Sequence, residues 1–314
     1  MKFRVIFLKK KYIYYSILIA VVLILILIAT SLKNTTPTFN IFTDTNILSA
    51  DVNGDGKKDL IYIKPEGGRY LVEINTNDKT LPLTPDKKLS TLGANSPGNP
   101  IKVILMDVSR DKTPEIFIQS SQQNNPIQHT FMWNNGKFDD IFCSCNNVLG
   151  FMDCGNNKTP KFLSGKLSNS SIELYGYILV KDKLQSFPLS DSYNFMGKDS
   201  VFTFINYIEG LPNSEANKPT DVFYPGLTGN DLSLIGKLSG ENNTYKFQNL
   251  TFKDTKWNKD GQISETRWNI TFKAISNTNK DLIKNYTLFL TLKPFTDENG
   301  TASFKIVSMS YEKN

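Results

Sequence analysis

Of 314 residues, 36 are Lys or Arg and 30 are Asp or Glu, a formal charge of +6, yet Lys2, Arg4, Lys9, Lys10 and Lys11 all precede one long apolar run. Setting those five aside leaves about +1, and no later segment runs basic, which speaks against a nucleic-acid partner. Three cysteines are too few for a disulfide framework, and a single histidine without a G-x-S-x-G or P-loop leaves triad hydrolysis and phosphate cradling without their usual parts.

The apolar run spans residues 12–32, YIYYSILIAVVLILILIATSL, with neither charge nor proline. About 20 apolar residues at 1.5 Å each match a hydrocarbon core of roughly 30 Å, so the run reads as a transmembrane helix. Lys9 to Lys11 lie before it and only Lys33 directly after, so the positive-inside rule makes residues 1–11 a cytoplasmic tail. Residues 33–45 then form a linker, and the bulk of a single-pass plasma-membrane protein lies outside the cytoplasm. A cleaved signal peptide is the competing reading; the run is long for one, no A-x-A site follows, and either reading exports the remainder.

Asp51-Val52-Asn53-Gly54-Asp55-Gly56-Lys57-Lys58-Asp59 is the strongest motif. Its side-chain oxygens fall at positions 1, 3, 5 and 9, and the Lys57 carbonyl at position 7 adds another, a donor set suited to calcium. Asp51, Asn53, Asp55, Lys57 and Asp59 are therefore the candidate metal ligands. Gly54 and Gly56 allow the positive φ that a tight turn demands. An EF-hand would need Glu where Tyr62 stands and helices on both sides; instead strand-like Leu60–Ile63, a Gly67-Gly68 turn and Tyr70–Ile74 follow.

Two degenerate copies recur. Val103–Ile118 is a second copy and carries Asp107, Ser109, Asp111 and Glu115 at ligand positions, but Arg110 and Lys112 replace the glycines, so a poorer turn and weak or no calcium are expected. Gly150–Leu163 carries Asp153 at position 1 and Lys161 at position 9, where an ammonium in place of the cation predicts a metal-free loop. Hairpins follow around Asn135-Gly136 and Lys181-Asp182.

An aspartate turn between strands, recurring about every fifty residues, resembles the FG-GAP or VCBS repeats of integrin-α-like β-propellers. The resemblance implies a calcium-loop repeat domain over residues 46–195. Propellers close with four to eight blades and only about three units are visible, which leaves an incomplete propeller, a concealed degenerate blade, or sheets stacked against the C-terminal domain.

Beyond residue 197 the pattern changes. Asp199 is the expected cap of a short helix carrying Val201, Phe204, Ile205 and Ile208, ended by Gly210 and Pro212. A second helix is expected near residues 230–237. Four strands follow, 245–252, 265–274, 286–292 and 303–311, the second turning Trp268, Ile270, Phe272 and Ala274 to one face. This α+β order over residues 197–314 is similar to NTF2-like cones, whose pocket would place Trp257, Trp268, Tyr245 and Tyr286 as ligand contacts, although alternating strand aromatics are commonly core. The fold class is thus mainly β with an α+β C-terminal domain.

These readings converge on a calcium-dependent, non-catalytic binding or adhesion module for a protein or glycan. The alternatives are a structural component of an envelope complex and an uncharacterised hydrolase using paired carboxylates. Cys154 is free to bridge Cys143 or Cys145, and a thiol site completed by His129 lacks zinc-knuckle spacing.

Overall fold

The computed structural model describes residues 10–33, 40–42, 47–95, 98, 100–153, 155–189, 196–227 and 229–313. Residues 1–9 of the tail, and 34–39 and 43–46 of the linker, lie outside the described residues. The chain divides into two compact units, Met1–Asn40 and Ile41–Asn314.

In the first unit, α1 (Lys10–Lys33) is one helix of 24 residues, about 36 Å long. Its side chains are described only as far as residue 24, and those of Tyr14, Leu18 and Ile19 are exposed. Among the described residues no helix is long and apolar enough to cross a membrane.

The second unit is mainly β. Strands β1 (Asn40–Phe42), β2 (Ile47–Ala50), β3 (Asp59–Glu66), β4 (Arg69–Asn75) and β5 (Thr80–Pro82) open it. Then come β6 (Lys102–Met106), β7 (Glu115–Gln122), β8 (Asn125–Asn134), β9 (Lys137–Ser144), β10 (Val148–Met152), β11 (Lys161–Leu167), β12 (Ile172–Val180) and β13 (Lys183–Phe187). After α2 (Lys198–Glu209) and α3 (Gly229–Gly240), the chain ends in β14 (Asn243–Trp257), β15 (Ile263–Ser276), β16 (Ile283–Thr296) and β17 (Ala302–Lys313). They make a four-stranded sheet β2-β3-β4-β5, a five-stranded sheet β1-β6-β7-β8-β9 and an eight-stranded sheet β13-β12-β11-β10-β14-β15-β16-β17.

Local chemistry accounts for most of these elements. Asn135 and Gly136 take φ of 47° and 88°, and Lys181 and Asp182 take 49° and 60°, the paired positive angles of two-residue hairpin turns. Along β15, Trp268, Ile270 and Phe272 are fully buried, and along β16 so are Tyr286, Leu288 and Leu292. Each large side chain buried this way contributes roughly 2–3 kcal/mol. Against that face pack Val201, Phe204, Ile205 and Ile208 of α2 with Leu234, Ile235 and Leu238 of α3. Asp199 is not the cap of α2. Gly197, at φ 92°, holds that place, and Asp199 sits inside the first turn, where its charge faces the positive end of the helix dipole.

Trp268 stacks on Phe252 at 4.3 Å and its Nε1 donates to the Met196 carbonyl, while the Tyr245 hydroxyl donates to the Leu238 carbonyl at 2.7 Å. Tyr286 is likewise buried against Tyr245. All three are packing residues of this core.

One sheet crosses the division read at residues 195–197. β10 pairs in parallel with β14, Val148 opposite Leu250 and Gly150 opposite Phe252, so the third repeat's strands extend the C-terminal sheet. A parallel pair between segments a hundred residues apart leaves no local pattern to read.

Candidate functional site

Three aspartate turns each stand ahead of a strand, and they share left-handed backbone at two positions, the third turn adding Gly155 at position 3 with φ 91°. Positions 4 and 6 have positive φ throughout: Gly54 at 76° and Gly56 at 83°, Arg110 at 69° and Lys112 at 75°, Asn156 at 52° and Lys158 at 57°. The expectation of a poorer second turn is therefore corrected. Its shape survives without glycine, at about 1 kcal/mol for each non-glycine residue held left-handed.

The reason lies in the first aspartate. Asp51 accepts the Gly54 N–H at 2.7 Å on one oxygen and the Gly56 N–H at 2.8 Å on the other. Asp107 does the same for Arg110 at 2.6 Å and Lys112 at 3.0 Å. Asp153 accepts from Asn157 at 3.1 Å and Lys158 at 2.8 Å. Two charge-assisted bonds per turn offset the left-handed strain.

Position 9 closes the turn from beneath. Asp59, 1% exposed, accepts the Val52 N–H at 3.0 Å, and Glu115, also 1% exposed, accepts the Val108 N–H at 2.8 Å. Burial pushes the Glu115 carboxyl up to about 7, the Asp107 charge adding to it. In the third turn position 9 is Lys161, and the carboxylate comes from a distant strand: Asp254 of β14 accepts the Asp153 N–H at 2.6 Å. The expected Lys161–Asp153 contact is replaced, with the Lys161 ammonium 5.4 Å from the Phe187 ring centroid. Trp257 adds an Nε1–H bond to the Asp153 carbonyl at 2.9 Å. Neither Asp254 nor Trp257 is marked as a partner of this turn by any local sequence signal.

The first and second turns both keep oxygen-bearing side chains at positions 1, 3, 5 and 9, but only the first combines them with glycine at positions 4 and 6, where the second has Arg110 and Lys112. Asp59's carboxyl is raised by burial and by the charges of Asp55 and Asp51, whereas the Lys57 N–H, at 2.7 Å, leads in lowering that of Asp55. Asn53 offers its amide Nδ2 to Asp55 at 3.4 Å and Asp59 at 3.5 Å. Asp59, its proton affinity raised by burial and by the Asp55 and Asp51 charges, beside a weakly donating amide fits a hard divalent cation, which would relieve that repulsion. Asp51, Asn53, Asp55, Asp59 and the Lys57 carbonyl are the groups that would hold it. Among the described residues no three His, Cys, Asp or Glu side chains converge as a metal cluster, and the carboxylates face backbone donors.

His129 is fully buried, its Nδ1 2.6 Å from Asp140 and its Nε2 3.0 Å from the Thr91 carbonyl. Both ring nitrogens are occupied, so this pair is a tie between β8, β9 and residues 86–91. Cys143 and Cys145 are free thiols, Cys143 raised by burial; Cys154 lies outside the described residues.

Compared with known proteins, the chain matches no family model, and no curated protein matches it either.

Proposed function

We propose that this chain is a membrane-anchored, extracytoplasmic repeat protein of the FG-GAP/VCBS kind. Its first turn takes calcium, and it serves as a non-catalytic binding or adhesion module for a protein or glycan. The observation that carries the reading is the aspartate turn found three times with left-handed backbone at positions 4 and 6, its oxygens joined to two turn glycines only at Asp51, Asn53, Asp55 and Asp59. Copies that preserve the turn while cationic side chains replace its glycines (Arg110, Lys112) or a ligand (Lys161) are what a repeat array leaves when one site binds and the others brace.

The uncharged apolar sequence from Tyr12 to Leu32 supports the anchor, and export would supply the calcium that a site with Kd on the order of 0.1–1 mM needs. Two helices packed on the antiparallel strands β14 to β17 support an NTF2-like reading of the C-terminal part.

The test is thermal melting of the full chain with calcium or with chelator. Calcium should raise Tm in the native protein and in Asp153→Asn, and the rise should vanish in Asp51→Ala and Asp55→Ala. A rise that persists in both alanine variants removes the metal from this turn.

A further inference from the structure

Sheet pairing assembles a cationic surface that no stretch of the sequence displays. Lys253 of β14 stands opposite Arg267 of β15, and Lys256 opposite Glu265. Lys293 of β16 reaches Glu265 and stands opposite Lys305 of β17. Lys256 lies 2.8 Å, Arg267 3.8 Å and Lys293 4.0 Å from the Glu265 carboxylate. That carboxylate is 4% exposed, whereas the three cations are 62%, 59% and 50% exposed. One submerged anion thus holds up three solvent-facing cations, with Lys253 and Lys305 beside them. Burial and the Arg267 charge depress the Lys253 ammonium to about 8, against the pull of Asp254.

We infer that the face of β14 to β17 around Glu265 is a docking surface for an anionic glycan. Lys256 and Lys293 reach the same Glu265 oxygen, and Lys253 on β14 and Lys305 on β17 carry the positive charge across three strand spacings, roughly 14 Å at about 4.8 Å each. A small anion covers only the cluster at Glu265, whereas a polymer bearing charges along its length spans from Lys253 to Lys305. The planar Arg267 fork suits carboxylate or sulfate oxygens in pairs. The choice of a glycan rests on the reading of the chain as an exported binding module; the charge complementarity does not depend on the calcium turn.

The test uses the full chain in detergent micelles, with polygalacturonate and dextran sulfate as probes and neutral dextran as control. Both acidic polymers should bind, more weakly as salt rises. Arg267→Gln/Lys293→Gln should weaken binding about tenfold or more, and Lys88→Gln/Lys183→Gln, which removes the same charge elsewhere, should stay within about twofold. Equal losses in the two variants, no binding of either polymer, or tighter binding of duplex DNA or anionic vesicles would overturn the assignment. Asp51→Ala and chelator should leave polymer affinity unchanged; a parallel loss would move the polymer to the calcium turn and defeat this surface. Unaltered melting of both double variants is the folding check.

Discussion

Thr113 of the second turn rests on Gly54 of the first, so closely that a β-carbon at position 54 would lie 2.7 Å from the Thr113 Oγ1. Gly54 answers two demands, a left-handed φ and an empty space for a neighbour. Gly56, equally left-handed, has nothing within 4 Å of its missing β-carbon. Gly56→Ala should therefore cost only backbone strain, about 1 kcal/mol, and Gly54→Ala appreciably more, about 2–3 kcal/mol. Adding Thr113→Ala should bring Gly54→Ala back to the Gly56→Ala level. Chemical denaturation of the four proteins checks this, and additive losses would mean the two turns do not press on one another.

The buried Glu115 gives the second turn a pH signature. Its folded-state value of about 7 stands above the ordinary 4.5, so between those values the folded protein binds more protons than the unfolded chain. Stability from this group is fully present below pH 4.5 and is lost as pH rises toward 7, about 3 kcal/mol in total. Asp254, raised by burial to about 7, acts in the same direction. Glu115→Gln keeps an oxygen for the Val108 N–H and removes the buried charge. Denaturation midpoints from pH 4 to 8 should show it gaining stability chiefly above pH 6, and Glu115→Gln/Asp254→Asn should flatten the profile further. A native profile that does not fall from pH 4.5 to 7 would contradict this.

His129 tests whether the residues 86–91 segment is held from below. Asp140 Oδ2 accepts from the ring and from the Asp86 N–H at 2.8 Å, while its Oδ1 is buried without a partner among the described residues. His129→Ala strands a buried carboxylate and opens a cavity, and should cost about 3–5 kcal/mol. A loss under about 1 kcal/mol in urea titrations would show that the pair is not structural.

What the sequence disclosed depended on range. Asn135-Gly136 announced its hairpin, and the alternation from Trp268 to Ala274 announced which face of β15 is core, because each is written within a few neighbouring residues. The oxygens of the Asp51 turn were legible for the same reason. Arg110 and Lys112 misled, since the shape of their turn is set by Asp107 accepting two backbone bonds more than by the residues at the bend. Asp254 standing in for a missing position 9, and Lys253, Arg267 and Lys293 gathering around Glu265, required knowing which strands pair. Such long-range pairings have no local period to betray them.

The join between the third repeat and the C-terminal sheet rests on a glycine. Gly150 of β10 lies opposite Phe252 of β14, and a β-carbon there would fall 2.2 Å from the Phe252 ring. The same ring stacks on Trp268 at an interplanar angle of 13°, so it cannot swing aside without leaving the core. Gly150→Ala must then either push β10 away from β14 or break the aromatic stack, a cost of about 2–3 kcal/mol for overpacking. Backbone hydrogen exchange separates local from general weakening: the N–H of Leu250, bonded to the Asn147 carbonyl, and that of Asp153, bonded to Asp254, should lose protection. The amides of β3 and β4, in a separate sheet, should not. Phe252→Leu in the same background should recover part of the loss by vacating the ring's space. Uniform loss of protection across all three sheets would instead mean that the eight-stranded sheet is no weaker at this join than anywhere else.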